Sequence, residues 1–309
     1  MPRLPTAGFV MTALLCLLAA VRSHAAITPE AEAVVQRYVE VTGGAAAFAA
    51  ESTAYTHARV EAFGFEGTFA SWLARPTRRY ARTELGPFKL SEGTNGRTAW
   101  RTDPTTGIVR PLADHDLDTA LESTWFELER WADSDQGGGQ VALAGHDKDS
   151  LGTVTVLEVT PPDLAGAGRP AHARRLWFRD ADGLLVRVHS KDDQREVVST
   201  LADYRNSLGR ARAFVSETSI VSMPANRART ITDTIQVNLS VAEVPFSPPS
   251  GNASAVHWLT KDGVATLPFE YRARHVWLKG SVDGGPAQDF LFDTGASVTV
   301  MDSSWAAEH

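Results

Sequence analysis

The amino-acid sequence predicts a mainly β fold with a few helices (α+β), and three observations carry that expectation. Between residues 53 and 238 a long series of short segments rich in Val, Thr, Phe and Trp alternates apolar with polar residues, with Gly, Pro or Asn between segments. Only two stretches, 28–43 and 112–133, carry an apolar stripe at helical spacing. At 245–254 the periodicity stops in a run of Pro and small polar residues, which marks a linker between two domains.

Residues 1–26 read as a signal peptide. Arg3 supplies a positive start, Val10 to Val21 an apolar run, and Ser23-His24-Ala25 the small-residue ending that a signal peptidase reads. The run is shorter than the ~20 apolar residues of a spanning helix. Export to a periplasm or the outside follows, with cleavage after Ala25 or Ala26. Cys16 lies in this leader behind Leu15, where a lipoprotein signal needs a small residue, and no cysteine follows it. A net charge of −7 argues against a nucleic-acid partner.

The mature chain opens with Thr28-Pro29-Glu30, a helix start with a Thr cap, Pro in the first turn and an acid beside it. Ala33, Val34, Tyr38 and Val41 form the stripe, and Gly43-Gly44 ends it. A short Ala-rich turn runs to about residue 50. Strands are then expected at 53–63, 66–73, 78–85, 88–92 and 98–102, with Asn95-Gly96 as a tight turn between the last two. A helix is expected over 112–133, its stripe made by Leu117, Leu121, Phe126, Leu128 and Trp131, and Gly137-Gly138-Gly139 closes it. Further strands are expected at 140–144, 153–160, 173–179, 184–190, 197–204, 213–223 and 230–238.

One long helix, a run of consecutive strands and an interrupting apolar helix resemble the LolA-like family of lipoprotein-carrier folds. The resemblance covers 27–244 and rests on this layout and on turns such as Arg179-Asp180-Ala181-Asp182-Gly183-Leu184. It implies a curved antiparallel half-barrel wrapped around helices, with room for a lipid or acyl ligand. A sheet of this kind filled by its own side chains is the alternative.

After the linker, 245–263, residues 264–309 have a different character. The segment 275–283 alternates apolar and polar residues, Gly284-Gly285-Pro286 turns the chain, and 287–292 returns as a strand into Asp293-Thr294-Gly295-Ala296-Ser297. An Asp-Thr-Gly after a strand is an ordinary turn on residue types alone. In this context it resembles the active-site loop of retropepsin-like aspartic proteases, and 264–309 resemble the opening strands of that β lobe, incomplete in this chain. The resemblance implies Asp293 as one half of a carboxylate pair sharing a proton, with Thr294, Gly295 and Ser297 supporting the loop. The second Asp would come from a homodimer partner or from sequence beyond His309, and the isolated chain would be inactive.

The expected function is therefore an exported aspartic-type endopeptidase that acts on a protein or peptide substrate through water, with no metal or organic cofactor. The alternative is a periplasmic lipid- or lipoprotein-binding module in which Asp-Thr-Gly is non-catalytic. The nine histidines have no metal spacing, residues 180–183 read as a hairpin turn rather than a calcium loop, and no Gly-x-Ser-x-Gly or nucleotide-binding glycine motif occurs. The apolar helix at 112–133 reads as core more readily than as a lid.

Overall fold

The computed structural model of the protein describes residues 27–86, 88–104, 107–149, 152–192, 195–249, 264–293 and 300–308. The signal peptide, most of the expected linker, and Thr294, Gly295 and Ser297 lie outside the described residues. Two helices come first, α1 (Pro29–Val41) and α2 (Ala45–Ala50). A first meander follows: β1 (Thr53–Ala62), β2 (Phe65–Ala74), β3 (Arg78–Leu85), β4 (Phe88–Thr94), β5 (Ala99–Thr102) and β6 (Val109–Pro111). Helix α3 (Asp114–Glu127) and two 3-10 turns lead to a second meander. It comprises β7 (Gln140–Asp149), β8 (Gly152–Thr160), β9 (Arg174–Arg179), β10 (Leu185–Lys191), β11 (Glu196–Ser207), β12 (Arg210–Ile220) and β13 (Met223–Val237).

The two meanders join into one thirteen-stranded antiparallel sheet, because β1 pairs with β13 as well as with β2. Strands β6 and β7 form the two edges, so the sheet does not close into a barrel. Its curvature follows from α3. Glu127 of α3 pairs with Arg79 of β3, while Ser123, one turn earlier, accepts a hydrogen bond from Arg174 of β9. In a flat sheet β3 and β9 would stand roughly 33 Å apart. Two side chains about 6 Å apart on one helix reach both only if the sheet curls around it. The unclosed, curved antiparallel sheet expected from the LolA-like layout is what forms.

Most of the core lies in the β7–β10 half. Ala31, Val35 and Tyr38 of α1 pack with Trp131 against Val141, Leu157, Leu176 and Phe178. The start of α1 is tied to edge strand β7 by Thr28 N donating to Val141 O at 3.0 Å, although the Thr28 hydroxyl does not cap the helix. Gly43 ends α1 at φ 131°, where a Cβ would stand 2.4 Å from the carbonyl oxygen of Gly209. The concave face of the other half carries small residues such as Ala58, Ser71 and Ala81, with a separate cluster of Val60, Ala62 and Leu85. That leaves space between sheet and helix.

The outer face of the first meander bears an aromatic ladder. Tyr55, Trp72, Tyr80 and Trp100 follow one another at ring separations of 4.8, 5.3 and 6.0 Å. Gly93 stands opposite Trp100, where a Cβ would lie 2.6 Å from the indole nitrogen. Phe246 caps the ladder: it is 5% exposed, and its carbonyl accepts the Trp100 indole N–H at 3.3 Å. The packing thus extends past residue 244, into the start of the expected linker.

The second helix ends earlier than its stripe predicts. Leu128 follows the last helical turn and Glu129 adopts φ 51°, so Trp131 reaches the core from a separate 3-10 turn. Beyond the linker, β14 (Phe269–Arg272), β15 (His275–Gly280) and β16 (Gln288–Phe292) make a three-stranded sheet. Val300 and Met301, beyond the Asp-Thr-Gly stretch, belong to no strand. Asp302 instead caps α4 (Ser303–Glu308), accepting from the backbone N–H of Ser304 and Trp305 at 2.9 and 3.1 Å.

Candidate functional site

Among the described residues, two clefts on the concave face stand out, one toward each end of the strands. The first, of about 260 Å³, is lined by Tyr38 of α1, Glu51 after α2, Glu129 after α3, and Arg210 and Arg212 of β12. The Tyr38 hydroxyl donates to one Glu129 oxygen, and Arg210 Nη2 donates to the other at 2.6 Å. Glu51 receives Arg212 and stands 3.5 Å from Arg210 Nη1. The Arg210 guanidinium also lies over the Phe48 ring, 3.5 Å from its centroid.

Charge in this cleft balances, the carboxylates of Glu51, Glu127 and Glu129 against the guanidiniums of Arg75, Arg210 and Arg212. Burial pushes the Glu129 carboxyl up, but the Arg210 charge and the hydrogen bonds from Tyr38 and Arg210 prevail and hold it below the usual range. Burial, and then the Glu129 charge, push Tyr38 well above an ordinary phenol. Glu129 is accordingly ionised and Tyr38 a neutral donor. The network fastens the turn after α3 to the sheet, and the left-handed backbone at Glu129 is what aims its carboxylate there.

The second cleft, of about 370 Å³, opens where the β1–β2 and β12–β13 hairpins turn. Its apolar lining is Phe63, Val197, Ile220 and Ala228, interleaved with Ser190 and Thr218, and its charged lining is Arg174, Lys191 and Arg195 with Glu122 and Asp192. Phe63 at the rim is 66% exposed, and Val221 and Met223 at the β12–β13 turn next to Ile220 are exposed as well. Glu122, buried on α3, accepts from the backbone N–H of His172 at 3.2 Å and lies 2.9 Å from its Nδ1. Arg174 donates to Ser123 Oγ at 2.9 Å and lies over the Phe126 ring at 4.1 Å. Among the described residues it has no carboxylate within ion-pair distance. Burial pushes its guanidinium down, against the pull of Glu127, Glu122 and Asp192.

Neither cleft is the purely greasy cavity that the carrier-like layout implies. Neither was legible as a site, because each gathers side chains from elements far apart in sequence. The alternation of Arg210 and Arg212 along a strand was a local signal that both face one way. No cluster of three metal-ligating side chains occurs among the described residues.

No family model matches the chain, and no curated protein sequence matches it. Among solved structures it is similar to a DUF1329-family protein from Desulfovibrio piger, at 12% identity and a TM-score of 0.48, over 71% of this chain and 98% of that one. It is also similar to a LolA-superfamily protein from Nitrosomonas europaea, at 13% identity and a TM-score of 0.49, over 71% of this chain and 97% of that one. At these scores the likeness is one of layout, and the fold rests on the strand order itself.

The peptidase expectation is overturned. The tail does not build a protease lobe among its described residues, which form three short strands and one helical turn. Asp293 follows β16 at an exposed position, next to a Phe292 that is 54% exposed. Two carboxylates share a proton when they are held together in a water-poor site. A sheet of three strands with both faces largely exposed does not supply one. The peptide substrate and the homodimer invoked to provide a second Asp go with that reading.

Proposed function

We propose that this protein is an exported carrier-like module that takes up an amphiphile, a lipid or acyl chain free or attached to a protein, on the concave face of its open sheet. The observation that carries this reading is the second cleft, where apolar Phe63, Val197, Ile220 and Ala228 lie among the polar side chains of Ser190, Thr218 and Arg174. Pockets that combine apolar walls with a few placed polar groups bind small molecules in one orientation. The exposed Phe63, Val221 and Met223 extend the apolar lining outward, an entry for a chain leaving a bilayer or another carrier. The leader at 1–26 supports export, where lipids in transit need shielding from water.

The test is purification of the full mature chain, followed by solvent extraction with mass spectrometry and by titration with a displaceable fluorescent fatty acid. Co-purifying lipid, and a probe affinity that falls at least tenfold in Ile220→Asp, are expected. A lipid-free protein that ignores the probe would sink the carrier reading.

A further inference from the structure

We infer that the mouth selects amphiphiles with a phosphate-class head group and that Arg174 is the residue that receives it. The inference rests on the carrier reading and deepens it. Arg174 projects from β9 onto the concave side with its guanidinium plane set by the Phe126 ring and one donor spent on Ser123. An arginine presents five N–H donors in a rigid fork suited to oxyanions.

The acids around it are already committed. Glu122 holds His172 through two contacts, Glu127 pairs with Arg79 at 2.7 Å, and Asp192 stands 3.9 Å from Arg195. Arg174 is therefore a half-buried cation with no ion-pair partner among the described residues, and burial already works against its charge. An incoming anion relieves that cost directly.

The rest of the cleft favours a tetrahedral oxyanion over a carboxylate. Lys191 and Arg195 stand at the rim, where they pair with Glu196 at 3.2 Å and Asp192 at 3.9 Å, and Ser190, Thr218, Ser219 and Asn226 offer further donors around the same space. A carboxylate has two oxygens to share among so many donors, and a phosphate ester has more. Among them Phe63 and Ile220 take the chain, so one molecule satisfies both kinds of side chain. The first cleft offers no such preference, since its charges cancel.

Dodecyl phosphate, the uncharged dodecyl maltoside and inorganic phosphate are titrated calorimetrically into the full mature chain, the amphiphiles below their micellar concentrations. Dodecyl phosphate is expected to bind at least tenfold tighter than either of the others, and Arg174→Gln to erase its advantage over the maltoside while leaving maltoside binding in place. Equal affinity for the two amphiphiles, or an unchanged preference in Arg174→Gln, overturns head-group selection and leaves the carrier reading standing. Inorganic phosphate binding as tightly as dodecyl phosphate reassigns the site to the free ion and overturns the lipid source. Absence of binding by any amphiphile overturns the carrier reading itself. Should Arg174→Gln fail to fold, Lys191→Gln combined with Arg195→Gln, both at exposed positions, is expected to weaken dodecyl phosphate at least threefold, and no change there overturns the proposal.

Discussion

Arg210 reaches from β12 to the Glu129 carboxylate at 2.6 Å, across 81 residues of sequence, and the turn after α3 is held to the sheet at that point. Arg210 is only 4% exposed, so neither partner can be removed without leaving the other poorly solvated. Glu129→Gln should destabilise the fold by about 3 kcal/mol, the scale for breaking a buried pair, measured by urea unfolding at pH 7.

The same pair sets a pH dependence. The folded Glu129 carboxyl lies below its unfolded value, which is about 4.3. Its contribution is therefore complete above the unfolded value and is lost as pH falls through the folded one. Unfolding free energies measured from pH 7 to pH 3 should drop more steeply in the wild-type protein than in Glu129→Gln. Parallel curves would show that Glu129 gains nothing from its partners.

Arg79 is held between Glu92 and Glu127, each at 2.7 Å, and so links β3 and β4 to α3. Desolvation opposes its charge, but the two carboxylates outweigh it and raise its pKa. Arg79→Met strips Glu127 of its cation and leaves Glu92 with only Arg101, at 3.2 Å, and a loss of about 3–5 kcal/mol is expected. Adding Glu127→Gln to that variant should recover part of the loss, and a double-mutant cycle measures the coupling.

The aromatic ladder and Phe246 make one packing unit. Trp100→Ala should cost about 3–5 kcal/mol and speed amide exchange at residues 245–247, whose anchor is the Trp100 indole. Unchanged exchange there would mean that this segment is held by other contacts, such as Asn95 to Ser247 at 3.1 Å.

Asp293 stands at an exposed position. Asp293→Asn is expected to change the unfolding free energy by less than about 0.5 kcal/mol and to leave amphiphile binding unaltered. A large change in either measurement would assign the residue a role that its position does not indicate.

The amino-acid sequence by itself determined where most strands begin and turn. Period-two alternation and tight turns are local: Asn95 Oδ1 accepts from the backbone N–H of Arg97 and Thr98, both at 3.0 Å, within four residues of chain. The strand at 78–85 was readable to the residue for that reason. Short pieces with weak alternation, β6 and β14, were not. Only the tertiary structure decided that β1 pairs with β13, that the helix after β6 stops so that Glu129 can turn toward Arg210, and that Arg174 meets Ser123 and Phe126. Those outcomes depend on contacts between residues that sequence does not bring together. The Asp-Thr-Gly stretch illustrates the converse, since a local pattern specifies a turn and its residue types, while proton sharing depends on burial and on a second carboxylate that only a complete three-dimensional site provides.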